Sequence, residues 1–207
     1  MSGAIVVTGT DTGIGKTVFA AGLAVLLGAR YWKPIQSGLA DETDAQAVER
    51  LGVLAADIRP EAYRLTQPLS PHRSAEIDGV RIDPALLALP ETAGRLIVEG
   101  AGGVLVPVTR DLLFADLFAR WGRPTVLVAR TCLGTVNHSL LALEALRARG
   151  VPILGIAFIG DPVEDSEATI AAIGKVKRLG RLPHLPSLTA DTLHGAFQQS
   201  FRHEDFA

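Results

Sequence analysis

The stretch VVTGTDTGIGKT, residues 6–17, decides how this chain is read. A β-branched run gives way to a loop of glycines and threonines, and the loop ends in Lys16 and Thr17 where a helical pattern begins. A tight turn between strand and helix needs neither the lysine nor the hydroxyl. A phosphate cradle needs both. Glycines at 13 and 15 let backbone N–H groups converge on phosphate oxygens, Lys16 would reach the β- and γ-phosphates, and the Thr17 hydroxyl would ligate magnesium. The strict spacing G-x-x-x-x-G-K-[ST] is missed by one residue, because Thr10 fills the first glycine slot and Gly9 stands one place early.

Outward from this loop, apolar runs alternate with helical patterns. Ala4–Thr8, Arg30–Pro34, Arg95–Glu99, Pro124–Ala129 and Pro152–Phe158 read as short strands, and their near-continuous Val/Ile/Leu content suits a parallel sheet covered on both faces. Thr17–Leu27, Asp44–Leu51, Phe114–Trp121 and Val136–Arg149 space apolar residues at helical intervals. Gly28, Gly52, Gly122 and Gly150 follow them, where helices commonly end. The alternation predicts an α/β fold, doubly wound and mainly parallel, in one domain over residues 1–207. Arg59–Pro84, interrupted by Pro60, Pro68, Pro71 and Pro84, reads as a long irregular loop of functional character.

Composition narrows the class. A chain of 207 residues with 48% hydrophobic content has ample core, and a net charge of −2 gives no reason to expect nucleic acid or an anionic membrane as partner. No apolar run approaches the roughly 20 residues of a membrane span. Met1–Gly3 leads directly into the first strand and leaves no room for a signal peptide, so a cytoplasmic protein is expected. Cys132 has no cysteine to pair with and reads as a small buried hydrophobe.

Ligands of such sheets bind beyond the carboxyl ends of the strands, and three further stretches stand there. WKPIQSG places Lys33 at the end of the second strand, which is expected beside the loop-bearing strand, so that a second cation faces the same phosphates. RLIVEGAGG ends a strand in Glu99, an acid placed to hold magnesium or its waters, before Gly100, Gly102 and Gly103. DETDAQAVE supplies Asp41, Glu42 and Asp44 at a helix start, where helix capping and the helix dipole explain acids equally well and nothing local selects one of them.

Together GTDTGIGKT, KPIQSG, TDA, SPHRSA, EGAGG and LGTVNH stand in the order and spacing of dethiobiotin synthetases, a resemblance that runs from Val6 to about Pro186. It implies a P-loop NTPase-type fold and an enzyme of biotin synthesis. Such an enzyme uses ATP and magnesium to join carbon dioxide to 7,8-diaminopelargonic acid and close a ureido ring. In the family an amine forms a carbamate, the carbamate attacks the γ-phosphate, and the second amine closes the ring and expels phosphate. The resemblance implies catalytic roles for Lys16 and Lys33, and it assigns Thr17, Asp44 and Glu99 to the metal. Thr12, Gly13, Ile14, Gly15, Lys16, Thr17 and Val18 match the phosphate loop and helix start. Glu99, Gly100, Ala101 and Gly102 match a further nucleotide contact. Ser37 matches a substrate-contacting serine, while Gly134 and Asn137 match a helix start that meets the substrate carboxylate across a homodimer interface. His72, within SPHRSA, reads as structural.

The sequence departs from the family in one place. Members commonly carry an Asn near the end of the strand over Pro152–Phe158 that reads adenine, but here Ile159 or Gly160 stands there. Backbone groups around Pro183, His184 and Leu185 are left to read the base, which predicts weak discrimination among nucleoside triphosphates. Two rival classes fit less well. Partitioning and positioning ATPases carry a second lysine five residues before the invariant one, a place held here by Asp11. Corrinoid side-chain amidases need an added glutaminase domain with a catalytic cysteine. The tail SFRHEDFA offers no readable pattern.

Overall fold

The structure, a computed structural model, describes residues 3–206. Its centre is β1 (Ala4–Gly9), whose six residues are all buried because both faces of the strand are covered. Alternation along β1 splits the core in two. Ala4 and Val6 join one apolar cluster, and Ile5 and Val7 join the other. Around β1 lie β2 (Arg30–Trp32), β4 (Ile58–Arg59), β6 (Leu96–Gly103), β7 (Thr125–Arg130), β8 (Ile153–Ile159) and β9 (Arg178–Leu182), in the order β4-β2-β6-β1-β7-β8-β9. Every pairing in this sheet is parallel. A small parallel pair, β3 (Ile35–Ser37) with β5 (Tyr63–Leu65), stands apart from it.

Helices cover both faces. Residues of α1 (Lys16–Leu27), α2 (Asp44–Arg50) and α7 (Ala190–Ser200) enter the cluster that contains Ile5 and Val7. Residues of α3 (Pro71–Ile77), α4 (Phe114–Trp121), α5 (Thr135–Arg147) and α6 (Glu164–Ile173) enter the opposite one. On the first face Phe19 of α1 meets Phe197 of α7 at 5.3 Å and Phe201 edge-on at 5.2 Å between ring centres. Gly22 has no side chain, and the Phe197 ring occupies the space where a Cβ would stand. Glycine inside a helix costs about 0.5–1 kcal/mol; the close seat of the ring on the helix offsets it.

The doubly wound parallel sheet agrees with the sequence reading, and several details differ from it. The strand expected over Arg30–Pro34 stops at Trp32, because Pro34 has no N–H to donate to a ladder, and the chain leaves the sheet to form β3. That strand is not the neighbour of β1: β6 lies between them. Arg59–Pro84 is not structureless but holds β5 and α3, with Pro71 in the first turn of α3, where its missing N–H is harmless. The tail is ordered through Phe201 and Phe206, both buried in the Phe19 cluster. Cys132 is exposed rather than buried, since it lies in the loop that leaves β7 at the rim of the sheet. Among the described residues no helix is long and apolar enough to cross a membrane.

Candidate active site

The loop between β1 and α1 is shaped by two glycines with positive φ, Gly13 at 68° and Gly15 at 94°, a region that side chains rarely adopt. The terminal methyl of Ile159 also packs against Gly15, where a Cβ would stand 2.6 Å from it. The Lys16 side chain folds back along the loop and donates from Nζ to the carbonyl of Asp11 at 2.7 Å. Asp11 in turn accepts from the Thr12 N–H at 2.7 Å and pairs with Arg130 at 3.5 Å, so it tethers the loop to the end of β7. Burial pulls the Lys16 ammonium down to about 8, against the raising influence of Glu99.

Glu99 occupies the middle of the site because β6 is inserted between β1 and β2. Its side chain is 1% exposed, and both oxygens are engaged. Oε1 lies 2.9 Å from the Thr17 hydroxyl and 3.4 Å from Lys33 Nζ, and Oε2 accepts from the Tyr31 hydroxyl at 2.8 Å. Asp44 approaches from the first turn of α2. Its Oδ1 lies 3.0 Å from the Thr17 hydroxyl, whose single proton the two carboxylates share, and its Oδ2 accepts from Lys33. The ambiguity over Asp44 as a cap is resolved by its neighbours. Thr43 is the N-cap, and its capping box with Gln46 leaves the Asp44 carboxylate free to face the site.

Charges this deeply buried are tolerated only when paired and hydrogen-bonded. Burial opposes the charge on Lys33, but Glu99 and Asp44 outweigh it, and its ammonium is held above the ordinary lysine value. Asp44 is lowered despite burial, by the Lys33 charge and by hydrogen bonds from Lys33 and Thr17. Burial and the Glu99 charge push the Tyr31 phenol well up, so it remains a donor.

These groups open into a cleft of about 940 Å³ at the carboxyl ends of β1, β2 and β6. Of the residues singled out from sequence, Thr12, Gly13, Gly15, Lys16, Thr17, Val18, Lys33, Ser37, Asp44, Glu99, Ala101 and Gly102 line it. The Ser37 hydroxyl is buried there without a hydrogen-bond partner. Others lie elsewhere. Gly100 faces Phe118 on the opposite side of β6, as strand alternation requires of a neighbour of Glu99. Ile14 and His184 line a separate pocket of about 270 Å³ with Gly13, Gly15, Arg130, Thr131, Cys132 and Ile159. Pro183 is exposed and Leu185 packs at the margin of the core. Gly134 and Asn137 are exposed at the start of α5, outside the cleft of their own chain, and Asn137 does not cap the helix. His72 lies on the far side of α3, while its neighbours Ser70 and Pro71 reach the cleft. Sequence reasoning missed Tyr31 and Gln36. Tyr31 was findable as the residue two before Lys33 on one strand, hence on the same face.

The donors suit magnesium bound together with phosphate. Two carboxylates and a hydroxyl are hard oxygen ligands, and among the described residues no group of three His, Cys, Asp or Glu side chains forms a cage. Magnesium characteristically takes one or two carboxylates and completes its shell with phosphate oxygens and water. A glycine loop, a buried lysine and this donor set at one rim of a parallel sheet define a phosphate-binding P-loop α/β protein.

Comparison with known proteins agrees. Residues 3–192 match the family described as AAA domain. The chain is 65% identical to the ATP-dependent dethiobiotin synthetase BioD of Rhizorhabdus wittichii and 63% identical to that of Bradyrhizobium sp., in each case over 100% of both chains. It is 62% identical to that of Novosphingobium aromaticivorans over 99% of both. It belongs to the dethiobiotin synthetase family. Among solved structures it resembles the septum site-determining protein MinD of Pyrococcus horikoshii, complexed with Mg-ADP, with TM-score 0.59, 15% identity and 96% of each chain covered. The cell division ATPase MinD of Pyrococcus furiosus gives TM-score 0.58 and 15% identity, with 96% of this chain and 98% of that one covered. At such identity the likeness is one of fold.

Proposed function

We propose that this chain, acting as a single P-loop domain in the cytoplasm, is the ATP- and magnesium-dependent ligase that closes the ureido ring of dethiobiotin from 7,8-diaminopelargonic acid and carbon dioxide. The observation that carries the reading is the meeting of Lys33, Asp44, Glu99 and Thr17 opposite the Lys16 loop in one cleft. The loop N–H groups and Lys16 hold the triphosphate. Thr17, Asp44 and Glu99 are the residues that would hold magnesium, which when bound would supply charge neutralisation on the transferring phosphoryl group. Lys33 borders the same cleft as the Lys16 loop, and its positive charge would offset the negative charge that gathers as carbamate and γ-phosphate approach. Ser37, whose buried hydroxyl has no partner in the cleft, is the serine offered to the substrate.

The same reading has two copies of the chain sharing each site. Gly134 and Asn137 sit at the N-terminus of α5, where backbone N–H groups attract a carboxylate. The fully exposed Leu133 and the exposed Leu141 beside them supply apolar surface for a second copy to cover. Phosphate release that requires both diaminopelargonate and bicarbonate is the expected result. ATP hydrolysis indifferent to either would overturn the proposal. A regulatory ATPase reading gains nothing from Asp11, whose acid anchors the loop to Arg130 where those proteins carry their second lysine.

Base recognition follows from the small pocket beside the loop. Ile159 packs on Gly15 there and brings no side-chain amide to a base edge. Turnover with GTP and CTP at equal concentration is expected to stay within about tenfold of that with ATP, since losing a bidentate base contact removes roughly 1–3 kcal/mol of discrimination. A strong preference for ATP in that comparison would show that other groups read the base.

A further inference from the structure

We propose that Tyr31 is a positioning residue for the metal site: its hydroxyl holds Oε2 of Glu99 so that the carboxylate presents Oε1 alone to the cation. The inference rests on the reading of Glu99 as a metal-binding group and adds to it a residue outside the cleft.

The geometry comes from the register of two strands. In the β2–β6 ladder Tyr31 stands opposite Ile97 and Trp32 opposite Val98, so Glu99 lies one step beyond the last pair. Tyr31 and Ile97 point into one apolar cluster, and Trp32 and Val98 into the other. Lys33 and Glu99 therefore fall on the Tyr31 side by simple alternation. Tyr31 in β2 and Lys33 just past its end thus aim two donors, two residues apart, at one carboxylate: the phenol at Oε2 and the ammonium at Oε1.

The two donors differ in stiffness. Lysine carries a flexible four-carbon stem and a compact charge that can move towards an arriving phosphate. The Tyr31 ring is fully buried in the core and has only two side-chain torsions. Were Lys33 drawn towards a phosphate, the Tyr31 hydroxyl would still hold the Glu99 plane from rotating. Magnesium accepts only near-ideal octahedral geometry at short distance, so a carboxylate free to offer both oxygens is a poorer ligand than one fixed to offer one.

Tyr31→Phe removes one oxygen and keeps the ring. With a non-hydrolysable ATP analogue bound, manganese titration followed by electron paramagnetic resonance is expected to show the metal dissociation constant rising about tenfold in Tyr31→Phe, with metal-free affinity for the analogue changed by less than about twofold. Glu99→Gln should weaken the metal as well, and adding Tyr31→Phe to it should cost little more, since the hydroxyl acts through that carboxylate. Weakened binding in Glu99→Gln with none in Tyr31→Phe overturns the role of Tyr31 and leaves the metal reading standing. Unchanged binding in Glu99→Gln overturns both. If Tyr31→Phe melts at lower temperature, the rise in melting temperature that manganese confers with the analogue bound gives the same comparison: a rise as large as in the native chain overturns the role, and a smaller one supports it.

Discussion

Replacing Lys33 with glutamine is expected to lower turnover by roughly 10²–10³-fold, the scale seen when one group that stabilises transition-state charge is removed. Lys33 is 5% exposed and lies between the Asp44 and Glu99 carboxylates, so its amine serves the resting site and the reaction alike. Glutamine is one atom shorter, keeps an N–H donor group and carries no charge. The buried Glu99 and the half-buried Asp44 are then left facing each other, and breaking a buried ion pair from one side costs up to about 3–5 kcal/mol, a ceiling that the solvent edge of Asp44 lowers. The variant should therefore fold but melt at lower temperature, and magnesium with nucleotide should restore part of that loss by replacing the missing positive charge. Turnover measured at saturating magnesium separates the two effects. A fall of less than about tenfold, corresponding to about 1.4 kcal/mol of barrier, would remove Lys33 from the chemistry.

The second large effect concerns the choice among three neighbouring acids. Asp44→Ala is expected to raise the magnesium concentration for half-maximal activity by tenfold or more, on the order of the affinity lost when a metal's carboxylate shell is disturbed. Asp41→Ala should leave it nearly unchanged. Both residues border the cleft, but Asp41 is exposed, while Asp44 meets the Thr17 hydroxyl and the Lys33 ammonium. The two magnesium titrations, run side by side, decide the matter. Equal shifts would mean that the general negative potential of the rim, rather than ligation by Asp44, sets the requirement.

How much of this was legible in the chain depends on the range of the interactions concerned. β1, α1 and α4 are written in local periodicity, and their limits fall within a residue of those expected. The phosphate loop was equally plain, because its glycines and lysine are consecutive. Sheet order was not. Placing β2 beside β1 seemed natural for successive strands, but β6, more than sixty residues later, takes that position and carries Glu99 between the two lysines. β9 was hidden because Arg178, Gly180 and Arg181 break any apolar run, and those arginines are there to pair with the buried Glu167. Asp44 could not be told from a helix cap by composition. The Thr43-x-x-Gln46 spacing already marks Thr43 as the cap, but that the freed Asp44 meets Thr17 and Lys33 is visible only in three dimensions. Cys132 was misjudged because cysteine is usually buried, while this one sits in the loop that leaves β7.

α7 ends at Ser200, with Phe197 in its last turn and Phe201 and Phe206 just beyond it. These three rings press on Phe19, one turn along the helix whose opening residues are Lys16 and Thr17. The clamp behind the phosphate grip is thus built by the carboxyl-terminal end of the chain. Substitutions in this short carboxyl-terminal stretch would therefore loosen the brace on the helix that opens with Lys16 and Thr17, without altering a residue of the reactive centre.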